Sequence, residues 1–462
     1  MNIGIILDHP KRDLAGVVMI AHALAVRGHT TSIVPLYDQA VDIPLLGLDA
    51  LIVNYARPAN LSLIQVYAAM GVPVFVLDTE GGILAEDGAN APDQLARYVS
   101  ESGYANILSG YFFWGSRLRD AFAKSSGIAP QKLHVTGCPR FDFASPRWET
   151  ILDAPWRDYI LVNANFPLVN PLFARSSEEE TMTLVHAGWK ADYVAQMLSD
   201  SRKIFTGYLR TIFDLATHFP QHTFLVRPHP FENANVYRES LSALSNVIVD
   251  GRGSVLNVIR HAKCVLHLNC GTAVEATMLR RLPVSMEFLN TDHMSNHSTL
   301  PSKISLRANS YEEMCSTIEN LDAATGQFSF EQNYSENILP WFHLNDGRAA
   351  DRVADVMVQY GAAARSRVKP SVARSLASSR SNSSVGQRAQ ALLANLTGSK
   401  FSSRLREMRT ASRREKRLDA EGVRLQLEKI ATHAGTALPS VAHAQHPWSG
   451  LELATVRVEP IA

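Results

Sequence analysis

Two rhythms of apolar residues alternate along the first 360 positions. Short unbroken runs rich in β-branched residues mark strands buried on both faces, and stretches spaced at three and four mark helices with one buried side. Asn2–Leu7 is such a run, and Leu14–Arg27 has helical spacing that closes on Gly28, a residue suited to a helix end. Thr30–Pro35, Ala50–Asn54 and Val72–Leu77 read as further strands, with a helix over Leu61–Met70. Gly110–Trp114 leads into a helical segment, Ser116–Lys124, and Leu133–Thr136 is a last short strand before Gly137–Asp142.

Ser145–Arg157, broken by Pro146 and Pro155, reads as a linker. A second series follows. Strands are expected at Tyr159–Asn163, Thr223–Arg227, Asn246–Val249, Cys264–Leu268 and Pro283–Met286. Helices are expected over Ser201–His218, Val255–His261, Thr272–Leu279, Tyr311–Leu321 and Gly347–Tyr360. Repeated strand–helix units imply parallel, doubly wound sheets. The fold class is therefore α/β, with two Rossmann-like domains facing a cleft. Ligands of such sheets sit beyond the carboxyl ends of the strands. The expected division is residues 1–145, an acceptor domain; 146–362, a donor domain; and 363–462, a basic tail, helical or partly disordered.

Charge sharpens the last boundary. The net charge of +1 hides sixteen Lys and Arg against five Asp and Glu over residues 363–430, while residues 1–362 carry 28 basic and 37 acidic side chains. Residues 363–386 are rich in Ser, Arg and Ala, and Gln387–Leu396 and Phe401–Ile430 are compatible with helices. The last thirty or so residues show no clear period. Four scattered cysteines, with no CxxC pair, fit a reducing compartment and argue against a disulfide framework. The N-terminus reads at once as a strand, not a signal peptide, and no apolar stretch reaches about 18 residues. A cytoplasmic protein is expected.

Four loops at strand ends can carry chemistry. Asp78-Thr79-Glu80-Gly81-Gly82 offers a carboxylate as general base and glycines that admit a substrate, or else a tight turn capped by Asp78. In Arg227-Pro228-His229-Pro230, two prolines stiffen a loop that presents a cation and a histidine suited to a leaving phosphate. The plainer alternative is a surface histidine. Asn269-Cys270-Gly271-Thr272 runs into a helix start, whose N–H groups suit an anion, with Glu275 one turn in and placed for ribose hydroxyls. Thr272 with Glu275 also reads as a capping box, which needs no ligand. Asn163 and Asn165 open the second half with amides that can hydrogen-bond a donor. No DxD pair follows a strand, and no GxxxxGK[ST], GxGxxG or GxSxG motif or zinc-type histidine spacing is present. No metal or cofactor is expected.

In their order, DTEGG, YFFWGSRLRDAF, KLHVTGCPRFD, LVNANF, RPHPFEN and HLNCGTAVEA resemble bacterial surface-carbohydrate biosynthesis proteins related to capsule-polysaccharide transferases. The resemblance covers roughly residues 1–360. That group is similar to GT-B glycosyltransferases that use CMP-activated acidic sugars such as Kdo and sialic acid. It implies Glu80 or Asp78 as base and His229 at the CMP phosphate. It also implies Thr272, Asn269 and Gly271 around the phosphate or the sugar carboxylate. The implied partners are a nucleotide-sugar donor and a polysaccharide or lipid-linked glycan acceptor. The basic stretch 363–430 suits an anionic membrane surface, peripheral on the inner face of the inner membrane, and lacks the interleaved aromatics of a nucleic-acid binder. Three other readings stay open. The RPHP-like loop also resembles CDP-glycerol glycerophosphotransferases, the two-half architecture suits a UDP-sugar epimerase, and a non-catalytic polysaccharide assembly factor would share the fold.

Overall fold

The computed structural model describes residues 1–57, 60–81, 92–186, 190–297, 299–363 and 415–461. The expected helix over Gln387–Leu396 and residues 401–414 of that over Phe401–Ile430 lie outside the described residues, as does Gly82. Two compact units are present. The first comprises Met1–Gly82, Pro92–Asp142 and Phe342–Ala462, and the second runs over Phe143–Trp341. Among the described residues no helix is long and apolar enough to cross a membrane.

The first unit is built on an eight-stranded sheet. Its parallel part consists of β1 (Asn2–Leu7), β2 (Thr30–Pro35), β3 (Ala50–Val53), β4 (Val74–Leu77), β5 (Leu108–Phe113) and β6 (Leu133–Val135), in the spatial order β2-β1-β3-β4-β5-β6. These are the apolar runs of the sequence, and β3 is buried at every position, as a strand covered on both faces must be. The first crossover is the helix Pro10–Val26. Pro10 opens it with its φ already set, and the His9 ring accepts the Lys11 N–H at 3.2 Å as its cap. Gly28, at φ 77°, lets the chain reverse into β2.

The end of the chain differs from the expected aperiodic terminus. The helix Ala420–Ala434 is capped by Asp419, stopped by Gly435 at φ 65°, and buries Val423, Leu427, Ile430 and Ala431. It packs on the helix Pro10–Val26. β13 (Val441–Gln445) and β14 (Glu452–Val458) then form a hairpin, and β14 lies antiparallel on β2, pairing Val456 with Ile33 and Val458 with Thr31. Asp42 fixes this edge by accepting both the N–H and the hydroxyl of Thr455, at 3.0 and 2.7 Å. The boundary expected after residue 362 also differs, because the chain returns to the first unit at Phe342. Burial is the reason. The helix Ala349–Ala363 covers Ala350, Val353, Ala354 and Met357, and the buried Asp142 carboxylate accepts its first N–H groups, from Ala349 and Ala350, at 2.9 and 2.8 Å.

The second unit holds a six-stranded parallel sheet in the order β12-β11-β10-β7-β8-β9. Its strands are β7 (Tyr159–Asn163), β8 (Phe224–Arg227), β9 (Val247–Val249), β10 (Ala262–His267), β11 (Leu282–Met286) and β12 (Leu306–Ala308). The long helix Ala191–His218 starts earlier than its sequence spacing suggested. It covers one face with Ile204, Tyr208, Ile212 and Leu215, stacked one turn apart against Ile160, Val162, Phe224 and Leu266. The Tyr208 hydroxyl meets the Asn163 carbonyl at 2.8 Å, so the same helix pins the end of β7.

Candidate functional site

In each sheet the chain leaves its first strand in both directions, β1 toward β2 and β3, and β7 toward β8 and β10. A crevice opens at the carboxyl ends of such a pair, the place where open α/β sheets bind ligands. Eight of the ten residues singled out from the sequence stand at strand carboxyl ends or in the turns that follow them, and Thr272 and Glu275 lie in the helix that starts just after β10. Asp78 and Glu80 belong to the first unit and the other eight to the second.

In the first unit, Asp78 and Glu80 differ in environment. Asp78 is 2% exposed, and its Oδ1 accepts the Glu80 N–H at 2.9 Å and meets an Arg57 Nη at 3.3 Å. Burial raises its pKa. The Glu80 side chain is half exposed and is held by Arg57 at 2.9 Å and Arg12 at 3.2 Å. Burial acts to raise its pKa, and the two guanidinium groups outweigh it and leave the group below its usual range. Arg12 also meets Asp8 at 2.7 Å and Asp13 at 2.9 Å. Lys416, from the returning chain, reaches Asp8 at 2.9 Å. His9 sits among these groups, and burial, then Lys416 and Arg12, bring its pKa down to about 4, so it is neutral at pH 7.

The second unit ties three loops together. Asn165 follows β7 and donates to the Asn269 carbonyl after β10 at 3.4 Å. The buried Glu232 joins the β7 loop to the β8 loop. It accepts the Phe166 N–H at 2.5 Å and the Tyr237 hydroxyl, and the His229 backbone N–H and the Asn170 side chain lie close enough to act on its charge. Burial, opposed by these donors, pushes its pKa up to about 7. His229 itself is half-buried, its Nδ1 accepting the Phe231 N–H at 3.2 Å and its ring tilted over that of Phe231. Asn269 has a left-handed backbone, φ 48°, and exchanges two side-chain hydrogen bonds with Asn290, at 2.9 and 3.1 Å. Asn290 in turn donates to Glu287 at 3.0 Å. Asn163 is 3% exposed, and its Nδ2 has no hydrogen-bond partner among the described residues.

Two placements differ from the sequence reading. The expected capping box does not form. Gly271 is the N-cap of the helix Thr272–Met278, Thr272 is already inside it, and the Thr272 hydroxyl turns to the Cys270 sulfur at 3.1 Å. A capping box needs its hydroxyl residue outside the first turn, and here the chain enters the helix one residue earlier. Arg227 is buried, with its terminal nitrogens on the carbonyls of Arg252 at 2.8 Å and Gly253 at 2.5 Å. It therefore stitches β8 to the turn after β9, while its charge acts on Glu275, which is 5% exposed. Sequence reasoning missed Arg12, Arg57, Lys416, Glu232, Asn290 and Glu287. Only Glu232 carried a signal, a carboxylate two residues past the RPHP loop.

No family model and no curated protein sequence matches the chain. Among solved structures, the wall teichoic acid polymerase TagF superposes with a TM-score of 0.51 at 10% identity, over 78% of this chain and 89% of that one. A variant of the same polymerase gives 0.51 at 9%, over 79% and 90%. The UDP-GlcNAc 2-epimerase of Methanocaldococcus jannaschii, in complex with UDP-GlcNAc and UDP, gives 0.49 at 12%, over 78% of this chain and all of that one. At such identities the likeness is one of fold, and the fold is of the GT-B type.

Proposed function

We propose that this chain is a metal-independent glycosyltransferase of bacterial surface-polysaccharide assembly. Its donor is a CMP-activated acidic sugar, with Kdo the leading choice, and its acceptor is a polysaccharide or lipid-linked glycan. The observation that carries the reading is the joining of the β7, β8 and β10 loops through Glu232 and Asn165. A phosphate site assembled from separate strands needs its loops fixed before the ligand arrives, because only preorganised donors stabilise charge as it develops.

In this reading the second unit binds the donor. Thr272, Gly271 and Asn269 hold the phosphate or the sugar carboxylate, and Glu275 takes ribose hydroxyls. As the bond from the anomeric carbon to the phosphate oxygen breaks, CMP departs with the electron pair, and His229 donates a hydrogen bond or a proton to it. Glu80 serves the acceptor. Its carboxylate is the one a hydroxyl can reach, and it takes the proton as the new C–O bond forms. Asp78 orients it through the Glu80 N–H and Arg57. The basic residues 363–430 keep the protein near anionic lipid.

A second reading is transfer of glycerol phosphate from CDP-glycerol, favoured by the likeness of fold to the wall teichoic acid polymerase. Calorimetry with CMP, CDP, UDP and GDP on wild type and His229→Ala separates the readings. CMP-selective binding that weakens in the variant is the expected result. CDP preference selects glycerol-phosphate transfer, UDP preference an epimerase or UDP-sugar enzyme, and no binding a non-catalytic assembly factor.

A further inference from the structure

A cavity of about 40 Å³ lies in the first unit, beside the carboxyl ends of β1, β3 and β4. Val17, Ile20, Ile52 and Leu77 make most of its wall aliphatic, and Asn54 and Trp114 supply polar edges. Both of these are only 2% exposed, and neither the Asn54 Nδ2 nor the Trp114 Nε1 has a hydrogen-bond partner among the described residues. The Asn54 amide lies near the Tyr55 hydroxyl without hydrogen-bond geometry. Buried donors are almost always paired, so two orphans on one cavity wall call for an acceptor from outside the chain. Gly81 belongs to the same arrangement. A Cβ there would stand 3.6 Å from the Trp114 Cδ1, in ordinary contact with the indole edge that carries Nε1.

We propose that this cavity receives the N-acetyl group of an acceptor sugar. The inference rests on the glycosyl-transfer reading and names a substrate feature for it. A water needs roughly 10–15 Å³ of such space, so the cavity holds about three heavy atoms. An acetyl group has that size. Its methyl meets the aliphatic wall, and its carbonyl oxygen, with two lone pairs, accepts from Asn54 and Trp114 together. A hydroxyl alone leaves the aliphatic wall uncovered. Asp13 and Arg140 also line the cavity and face each other at 3.6 Å, so the one cation in the wall is already committed and a carboxylate gains no charge partner there.

The test is NMR of the full-length protein labelled at its Trp indole nitrogens, six in all. The Trp114 cross-peak is identified by its loss in Trp114→Phe. N-acetylglucosamine, glucosamine and glucose are titrated separately. The expected result is a saturable Trp114 shift with N-acetylglucosamine, and binding weaker by about 10-fold or more for the two sugars without the acetyl group. Val17→Leu, which adds a methylene to the cavity wall, abolishes the preference. Equal shifts from all three sugars, or none from any, overturn the proposal, and a cavity that holds only water gives no sugar-dependent shift. If Trp114→Phe does not fold, saturation transfer to the acetyl methyl in the wild type reports the same contact. Failure here with CMP binding intact refutes the acetyl site alone. An acetyl response without nucleotide binding refutes the transferase reading instead.

Discussion

Glu232→Gln separates a tie between loops from a passive buried acid. The carboxylate is 3% exposed and accepts from the Phe166 N–H and the Tyr237 hydroxyl, with the His229 N–H and the Asn170 side chain nearby. Gln keeps one acceptor oxygen and replaces the other with an N–H₂, and the Tyr237 hydroxyl can rotate to accept from it. About one buried donor then loses its partner, at a cost of roughly 1–3 kcal/mol. For a unit of this size that is about 2–10 °C in Tm. The wild type also depends on pH. Its pKa is about 7 when folded and 4.5 when unfolded, so between these values the folded state holds a proton the unfolded state lacks. Its stabilisation is complete below pH 4.5 and is lost as pH rises through 7, an effect on the order of 3 kcal/mol. Gln does not titrate. Thermal melts should place Glu232→Gln below wild type near pH 5, with the gap closing or reversing near pH 8.5. A constant offset across that range refutes the titration, and coincident melts refute the tie.

Other outcomes follow from the same geometry. His229→Ala should lower kcat about 10²–10⁴-fold while leaving Tm nearly unchanged, since the ring is half-buried and no strand depends on it; an active variant removes the assigned role. Transfer should survive EDTA, and strict dependence on an added divalent ion would sink the metal-independent mechanism. Removing residues 415–461 should leave the first unit unable to hold its fold, seen as lost near-UV circular dichroism, because Val423, Leu427, Ile430, Val456 and Val458 go with it at about 1.5–3 kcal/mol each. Replacing Arg404, Arg406, Arg409, Arg413 and Arg414 with Gln should weaken binding to anionic vesicles by about 1 kcal/mol per charge, and unchanged co-sedimentation refutes the membrane role.

The alternation of buried runs and amphipathic stretches was enough to place both parallel sheets except β12, a three-residue edge strand with one buried position that no apolar run marked. Strands covered on two faces must be apolar throughout, and that is a local property. The same locality put Asp78, His229 and Asn269 at strand ends, because turns follow strands in the chain as well as in space. What depends on distant partners was not legible. β14, between β13 and β2, is only partly buried and pairs with β2 across more than 400 residues, so neither its pattern nor its neighbours announced it. Lys416 read as one charge in a basic tail, yet it reaches Asp8. Arg227 read as a phosphate ligand, yet its guanidinium holds the Arg252 and Gly253 carbonyls. Thr272 read as a cap, yet it lies within the helix. Residue type and spacing determined which groups stand at the carboxyl edges. Which carboxylate is buried, which is clamped by arginines and which ties two loops is set by burial and charge partners drawn from remote segments, and those exist only once the chain has folded.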